Sequence, residues 1–355
     1  MFIFAISFLA ILHLVTVQSI PAGHSPKVGY AFDGYPVYGP YTDGGGLPTD
    51  LDICNGRNHP SLGYLYHTTV SAPYTFGCYA GEVLCANFNM NAPAGCLSSP
   101  PSSGATSLTC TDLGLISGVS IKEVPWTVIE TNVPSRVRCT VESCASTAPY
   151  CWHTNNTANT AYTSSINCVE NGNRLKITAN GVPNHFIGKF PMSESTYHLN
   201  RPSDNPNSLS EQSFTWYIPK YPIMKSVFPT QSIVTDVNAL PFGPTGFAIN
   251  SVPFFNMYNM GMLDAVDGSE GFEVLDMCLG HPQMFGAYHY HTTPHCLINE
   301  LNGVTNAVSC GNSNNAATSS PNPVVTNSPN STTNSPTITL VLLVTLLFLI
   351  VLFHA

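Results

Sequence analysis

The chain has 355 residues, of which 43% are hydrophobic and only 9% are charged, with a net charge of −9. It is long enough to form one large folded domain or two ordinary ones. No Lys or Arg follows Lys225. Because a nucleic-acid-binding protein needs a basic surface, the composition argues strongly against that class.

The first segment in chain order is apolar. Residues 2–17 read FIFAISFLAILHLVTV, and the following Gln18 and Ser19 give the small-residue spacing of a cleavage site. This pattern predicts a secretory signal peptide over residues 1–19, although it lacks a basic start. A membrane helix is the less favoured interpretation because the run is short and Pro21 follows it.

The central part of the chain predicts strands. Short apolar or alternating runs rich in β-branched and aromatic residues occur on both sides of a Pro/Ser-rich stretch at 92–106. No sustained helical period occurs between Ile20 and Cys310. We therefore expect a mainly β, β-sandwich-like domain tied by disulfides, with a Cys-containing connection at 89–168.

The C-terminal part changes composition twice. Residues 312–337 contain Asn, Ser, Thr and Pro without charge, which predicts a flexible stalk. Residues 338–355 are mostly apolar and predict a glycosylphosphatidylinositol signal, with a short single-span anchor as the alternative. Both interpretations place the protein at the cell surface, where a membrane is its first partner.

Twelve cysteines in a chain that enters the secretory pathway predict disulfides rather than free thiols. The sequence also contains two N-glycosylation sequons, at Asn155 and Asn330. These features agree with an extracellular glycoprotein.

An internal repeat is the strongest pattern in the sequence. VGYAFDGYPVYG at 28–39 corresponds to TGFAINSVPFFN at 245–256, and LDICNGRNHPSLGYLYHTT at 51–69 corresponds to LDMCLGHPQMFGAYHYHTT at 275–293. One supersecondary unit therefore occurs twice. The repeat suggests one disulfide in each unit, namely Cys54–Cys78 and Cys278–Cys296.

Histidines are concentrated in the second unit. His289 and His291 alternate with Tyr288 and Tyr290, so a strand would place the two imidazoles on one face and the tyrosines on the other. His281 follows a Gly and His295 follows Pro294, so either could fold back as a third ligand. Imidazole clusters suit zinc or copper, although a structural hydrogen-bond network is the competing interpretation.

Several acidic residues precede this cluster, and no basic residue offsets them. Among them, Asp276 is a candidate ligand or a carboxylate that orients a ligating histidine. The first unit has Arg57 and Leu65 where the second has His281 and His289, so it does not repeat the same chelate. It keeps His67, which contributes to one site only if the two units face each other.

These residues resemble the YHYH-domain family, an extracellular family without an established activity. The resemblance is carried by LDMCLGHPQMFGAYHYHTTPHC at 275–296, NGVPNH at 180–185 and SPKVGYAFDGYPVYGPY at 25–41. In the family, the half that contains the tetrad comes first. Here the corresponding segments, 169–300 and 24–88, occur in the opposite order, which implies either a circular permutation or two incomplete domains.

If the order is permuted, the two units should form one pseudo-symmetric domain, with His67 and His185 near His289 and His291. The resulting hypothesis is a cell-surface protein that binds a transition metal, copper or zinc, through clustered histidines. The alternatives are a non-catalytic structural glycoprotein and a carbohydrate-binding protein. Catalysis would require an open coordination position, which a sequence does not reveal, and no substrate or protein partner is indicated.

Overall fold

The structure is a computed structural model. It describes residues 23–88, 92–117, 163–185, 187, 190, 205–266, 273, 275–276 and 278–302. The predicted signal peptide, stalk, C-terminal tail and both sequons lie outside these residues.

Eleven strands and one α-helix form the described part. The first repeat unit supplies four strands: β1 (Lys27–Ala31), β2 (Pro36–Tyr38), β3 (Gly56–His59) and β4 (Gly63–His67). Three strands come next: β5 (Ile166–Asn171), β6 (Arg174–Ala179) and β7 (Phe214–Pro219). The second repeat unit supplies the last four: β8 (Pro244–Ala248), β9 (Pro253–Phe255), β10 (Gly280–Pro282) and β11 (Tyr288–Tyr290).

The two repeat units are the two halves of one eight-stranded sheet, in the order β10-β11-β9-β8-β1-β2-β4-β3. Read outward from the centre, both halves have the same pairings: antiparallel, then parallel, then antiparallel. β1 and β8 join the halves as an antiparallel pair, with Tyr30 opposite Phe247. The repeat found in the sequence is therefore a structural repeat with approximate two-fold symmetry.

The remaining strands form a separate antiparallel sheet in the order β5-β6-β7. Leu175 and Ile177 alternate with more exposed residues along β6, so one face of this sheet is buried. From β7, Trp216 stacks on Phe247 of the large sheet with ring centroids 5.7 Å apart. The mainly β, sandwich-like fold predicted from the sequence is confirmed.

A short helix, α1 (His295–Leu301), follows the last strand. It was not predicted, because its seven residues make only about two turns and cannot show a sustained period. Its N-terminal part is buried, and Cys296 in its first turn is bonded to Cys278. Within the described residues, no helix has the length and apolarity that a membrane span requires.

The same turn shapes both units. Asp52 accepts the N–H groups of Cys54 and Gly56 through Oδ1, at 2.8 and 2.9 Å, and the hydroxyl of Tyr64 through Oδ2, at 2.8 Å. Tyr64 lies against Gly56, where a Cβ atom would meet the hydroxyl oxygen at 1.9 Å, so only glycine fits. The corresponding residues of the second unit, Asp276, Gly280 and Tyr288, repeat these contacts.

Each repeat unit also contains an equivalent disulfide. Cys54–Cys78 and Cys278–Cys296, the pairs that the repeat suggests, are present, and each closes a loop within its own unit. Closing a loop of this size stabilises the fold by about 3 kcal/mol in the chain-entropy model. The described residues also contain Cys85–Cys96 and Cys110–Cys168.

Candidate metal centre

Three buried histidines meet at the β10–β11 end of the large sheet. β10 and β11 place His281 directly opposite His289, and His291 follows the end of β11 on the same face as His289. Nε2 of His289 lies 3.0 Å from Nε2 of His281 and 3.0 Å from Nε2 of His291. Each of the three residues is at most 3% exposed.

Backbone carbonyls fix the orientation of two of the rings. Nδ1 of His289 lies 3.0 Å from the carbonyl oxygen of Ala287, and Nδ1 of His291 lies 2.6 Å from that of Asn256. A carbonyl only accepts, so each Nδ1 carries the proton and donates it. Each neutral ring therefore presents the lone pair of Nε2, and these two lone pairs face each other at 3.0 Å.

The third ring has a different environment. Oδ1 of Asn205 accepts the N–H of Asn207, which directs the Asn205 amide N–H towards Nδ1 of His281 at 3.1 Å. In this arrangement His281 carries its proton on Nε2 and donates it to His289. The carboxylate of Glu273 lies 3.9 Å from the same Nδ1, which is longer than a hydrogen bond, so the two groups would have to move closer before Glu273 could hold the other tautomer.

Burial keeps all three rings neutral. Desolvation lowers the pKa of His281 and His289 well below the ordinary value and lowers the pKa of His291 to about 4, and repulsion from neighbouring rings lowers the first two further. At neutral pH Nε2 of His289 and Nε2 of His291 therefore carry no proton, and His281 binds a metal through Nε2 once its single proton moves to Nδ1.

The spacing of the nitrogen atoms suits a metal ion. Tetrahedral coordination with metal–nitrogen bonds of 2.0–2.1 Å separates two ligand nitrogens by about 3.3 Å, so small ring shifts would accommodate an ion. Phe255 stacks on His289 with ring centroids 4.0 Å apart and restricts that ring. Imidazole donors held by carbonyl partners are typical of zinc and copper sites.

Three other predicted ligands lie away from this cluster. His67 belongs to β4, near the other end of the large sheet, so the expectation that it approaches His289 and His291 is wrong. His185 lies on the tyrosine side of β11, where its Nε2 contacts the hydroxyl of Tyr290. His295 begins α1 and is not part of the three-histidine group.

His185 also lies close to the sulfur atoms of Cys278 and Cys296. Those atoms form a disulfide, which removes the thiolates that a metal would require. This second group of potential ligands is therefore not a metal site in the oxidised protein.

The predicted supporting residues also lie on the tyrosine face. Asp276 accepts hydrogen bonds from Tyr288 at 2.8 Å and from backbone N–H groups of its turn, so it stabilises the turn instead of orienting one of the three histidines. Tyr290 receives a hydrogen bond from Asn250 at 3.2 Å. Tyr288 and Tyr290 thus anchor β11 from the side opposite the histidines.

Sequence reasoning missed the partners that come from other elements. Asn256 follows β9, Asn205 precedes β7, and Phe255 ends β9. A carbonyl oxygen has no side-chain signature, so the contact of Asn256 with His291 had no sequence signal. The position of Phe255 beside His289 follows from the β9–β11 pairing, which the alternating Tyr-His pattern does not specify.

Comparison with known proteins gives one match. Residues 215–314 match the family model described as YHYH protein, and this region contains most of β7, all of β8 to β11 and the three clustered histidines. Searches of curated proteins and of solved structures found no significant match. The resemblance to the YHYH family that the sequence motifs indicate is thus supported over residues 215–314.

Proposed function

We propose that this protein binds a transition metal at the cell surface through Nε2 of His281, His289 and His291. The observation that carries the proposal is the pair of opposed lone pairs on His289 and His291 at 3.0 Å. Two neutral acceptors at this distance repel each other, and a cation between them removes the repulsion. Burial of both rings makes the repulsion costly because water does not screen it.

The ligand set favours zinc or copper(II). Three neutral imidazoles form a borderline-soft donor set, and the described residues place no carboxylate oxygen in the group that would favour magnesium or calcium. Three protein ligands leave the fourth tetrahedral position for water or another small ligand. Storage and delivery of the metal, as well as metal-assisted chemistry, are compatible with such a site.

The proposed location follows from chemistry as well as from the sequence. Four disulfides among the described residues are typical of an oxidising compartment and support this proposal. The apolar segments at both ends of the sequence support secretion followed by anchoring at the membrane. We therefore place the metal site outside the cell.

Elemental analysis of the purified protein tests the proposal. We expect a stoichiometric transition metal in the wild type and its loss in a His289→Leu/His291→Ala variant. Leu is the matched replacement because the first unit has Leu65 at the position of His289. A folded, monodisperse wild type that takes up neither Zn²⁺ nor Cu²⁺ at this site would overturn the proposal and favour a structural histidine network.

A further inference from the structure

A second group of histidines lies in the first unit. His59 and His67 end β3 and β4, and His24 precedes β1. The His24 ring centroid lies 5.2 Å from that of His67 and 5.4 Å from that of His59. β3 and β4 form the edge of the large sheet opposite β10 and β11, so this group is distinct from the first centre.

His67 has the same backbone contact as His291. Its Nδ1 lies 2.7 Å from the carbonyl oxygen of Gly39, the residue after β2, just as His291 contacts Asn256 after β9. Nδ1 therefore carries the proton and Nε2 presents a lone pair. His67 is 0% exposed, and its Nε2 has no hydrogen-bond partner in the described part of the chain.

The ring of His24 is also held by a backbone carbonyl, in this case the carbonyl of the next residue. Its Nδ1 donates to the carbonyl oxygen of Ser25 at 2.8 Å, which leaves a lone pair on Nε2. His24 is 6% exposed. Its Nε2 is buried and has no hydrogen-bond partner among the residues that the structure describes. Two buried imidazole nitrogens without partners are costly unless something binds them.

A carboxylate lies beside His24 and His59. Nε2 of His59 contacts both carboxylate oxygens of Asp43, at 3.2 and 3.1 Å, while Nδ1 of His59 accepts the N–H groups of Ser61 and Leu62. His59 therefore donates to Asp43 and positions it. Ligand atoms of His24, Asp43 and His59 lie within 4.8 Å of one another, and His67 does not belong to this set.

The local charge permits a cation. Arg57 is the nearby cationic side chain, and its Nε lies 3.2 Å from the carboxylate of Asp50. That ion pair balances the Arg57 charge, so the carboxylate of Asp43 remains to balance a metal. The Asp43 side chain is 50% exposed, which gives the group an opening to solvent.

We propose that the unpartnered Nε2 atoms of His24 and His67 bind a transition metal, and that the half-exposed carboxylate of Asp43 turns towards them as the third ligand, with His59 as the positioning residue for Asp43. Two imidazoles and one carboxylate suit Zn²⁺, Cu²⁺ or Ni²⁺. Because this site opens to solvent at Asp43, it exchanges its metal faster than the centre formed by His281, His289 and His291. The site is independent of the proposed function at the other edge of the sheet.

Titration of the metal-free full-length protein with Zn²⁺ tests this inference, with Co²⁺ absorption as a second readout of the coordination. We expect the wild type to bind a second equivalent that His24→Ala/His67→Gln removes. The His289→Leu/His291→Ala variant should keep that equivalent and lose the other one. His59→Ala should weaken the second site by roughly tenfold, the size expected for a residue that orients a ligand.

The outcomes separate the two proposals. If the wild type binds one equivalent and only the His289→Leu/His291→Ala variant loses it, the second site does not exist. If the single equivalent is lost only in His24→Ala/His67→Gln, the second site stands and the proposed function fails. Circular dichroism and thermal melting identify variants that have not folded. Asp43→Asn changes a half-exposed side chain, so it replaces any variant that fails this check, and it should also remove the second equivalent.

Discussion

The two repeat units share a backbone and one face but differ on the other face. On the tyrosine face, Tyr64 and Tyr288 each donate to the aspartate of the same turn. On the histidine face, Leu65 and Arg57 of the first unit occupy the positions of His289 and His281. The fold therefore depends on the tyrosine face, and the histidine face is left free to vary with function.

The largest expected effect comes from making the second unit resemble the first. His281→Arg/His289→Leu should weaken metal binding by more than about 100-fold, because it removes two ligands. This loss is larger than the loss expected when a residue that only orients a ligand is removed. The fold should persist, because the first unit has these residues in the same strands. Zn²⁺ titration and circular dichroism check both parts, and unfolding of this variant would contradict the separation of the two faces.

The two equivalent disulfides allow a matched comparison of stability. Replacing Cys54 and Cys78 by Ala, or Cys278 and Cys296 by Ala, should lower the free energy of unfolding by about 3 kcal/mol in each case. Only the second pair lies beside β10, so only its loss should also weaken binding at His281. Denaturant unfolding and metal titration measure the two effects. Equal loss of metal in both variants would show that the units are not independent.

The equivalent tyrosines should differ in a predictable direction. Tyr288→Phe removes a hydrogen bond to Asp276, which is 1% exposed, whereas Tyr64→Phe removes one to the partly exposed Asp52. We expect losses of about 2–3 and about 1–2 kcal/mol respectively, because hydrogen bonds to buried charged groups contribute more. Chemical denaturation of the two variants side by side gives the order, and a reversed order would contradict this explanation.

A pH-dependent effect is expected at the turns after β1 and β8, where Asp33 and Asn250 occupy equivalent positions. Burial raises the pKa of Asp33 to about 6, although hydrogen bonds from Tyr66 and Gly81 oppose the shift. The folded state therefore binds the proton more tightly than the unfolded state. The resulting contribution to the free energy of unfolding is fully present below the unfolded pKa and is lost as the pH rises through 6.

Asp33→Asn copies the residue of the second unit and removes this ionisation. The variant should gain stability relative to the wild type as the pH rises from 4 to 7, by about 2 kcal/mol. Thermal melting across that range measures the difference between the two proteins. A difference that stays constant with pH would show that the Asp33 carboxyl does not titrate in this range.

Part of this structure could be predicted from the sequence. The ungapped match of 51–69 with 275–293 revealed the repeat, and the alternation in Tyr288–His291 assigned the two faces of β11. Both signals are read from contiguous stretches of sequence, without knowledge of which strands pair. The same local reasoning paired Cys54 with Cys78.

The remainder depends on contacts between distant segments. The β1–β8 pairing, which places His67 and His291 in opposite halves of the sheet, has no signature in either strand alone. His185 follows a strand of the other sheet, and its contact with Tyr290 spans 105 residues. His24 was overlooked because it precedes the repeat, yet β1 brings it beside His67.

The central pairing of β1 with β8 affects how such a chain can evolve. Exchanging two halves related by an approximate rotation leaves every strand with the same neighbours, whichever half is translated first. Only the connection between them has to be rebuilt. Gene rearrangement within this architecture would therefore preserve the sheet while changing which half the ribosome makes first.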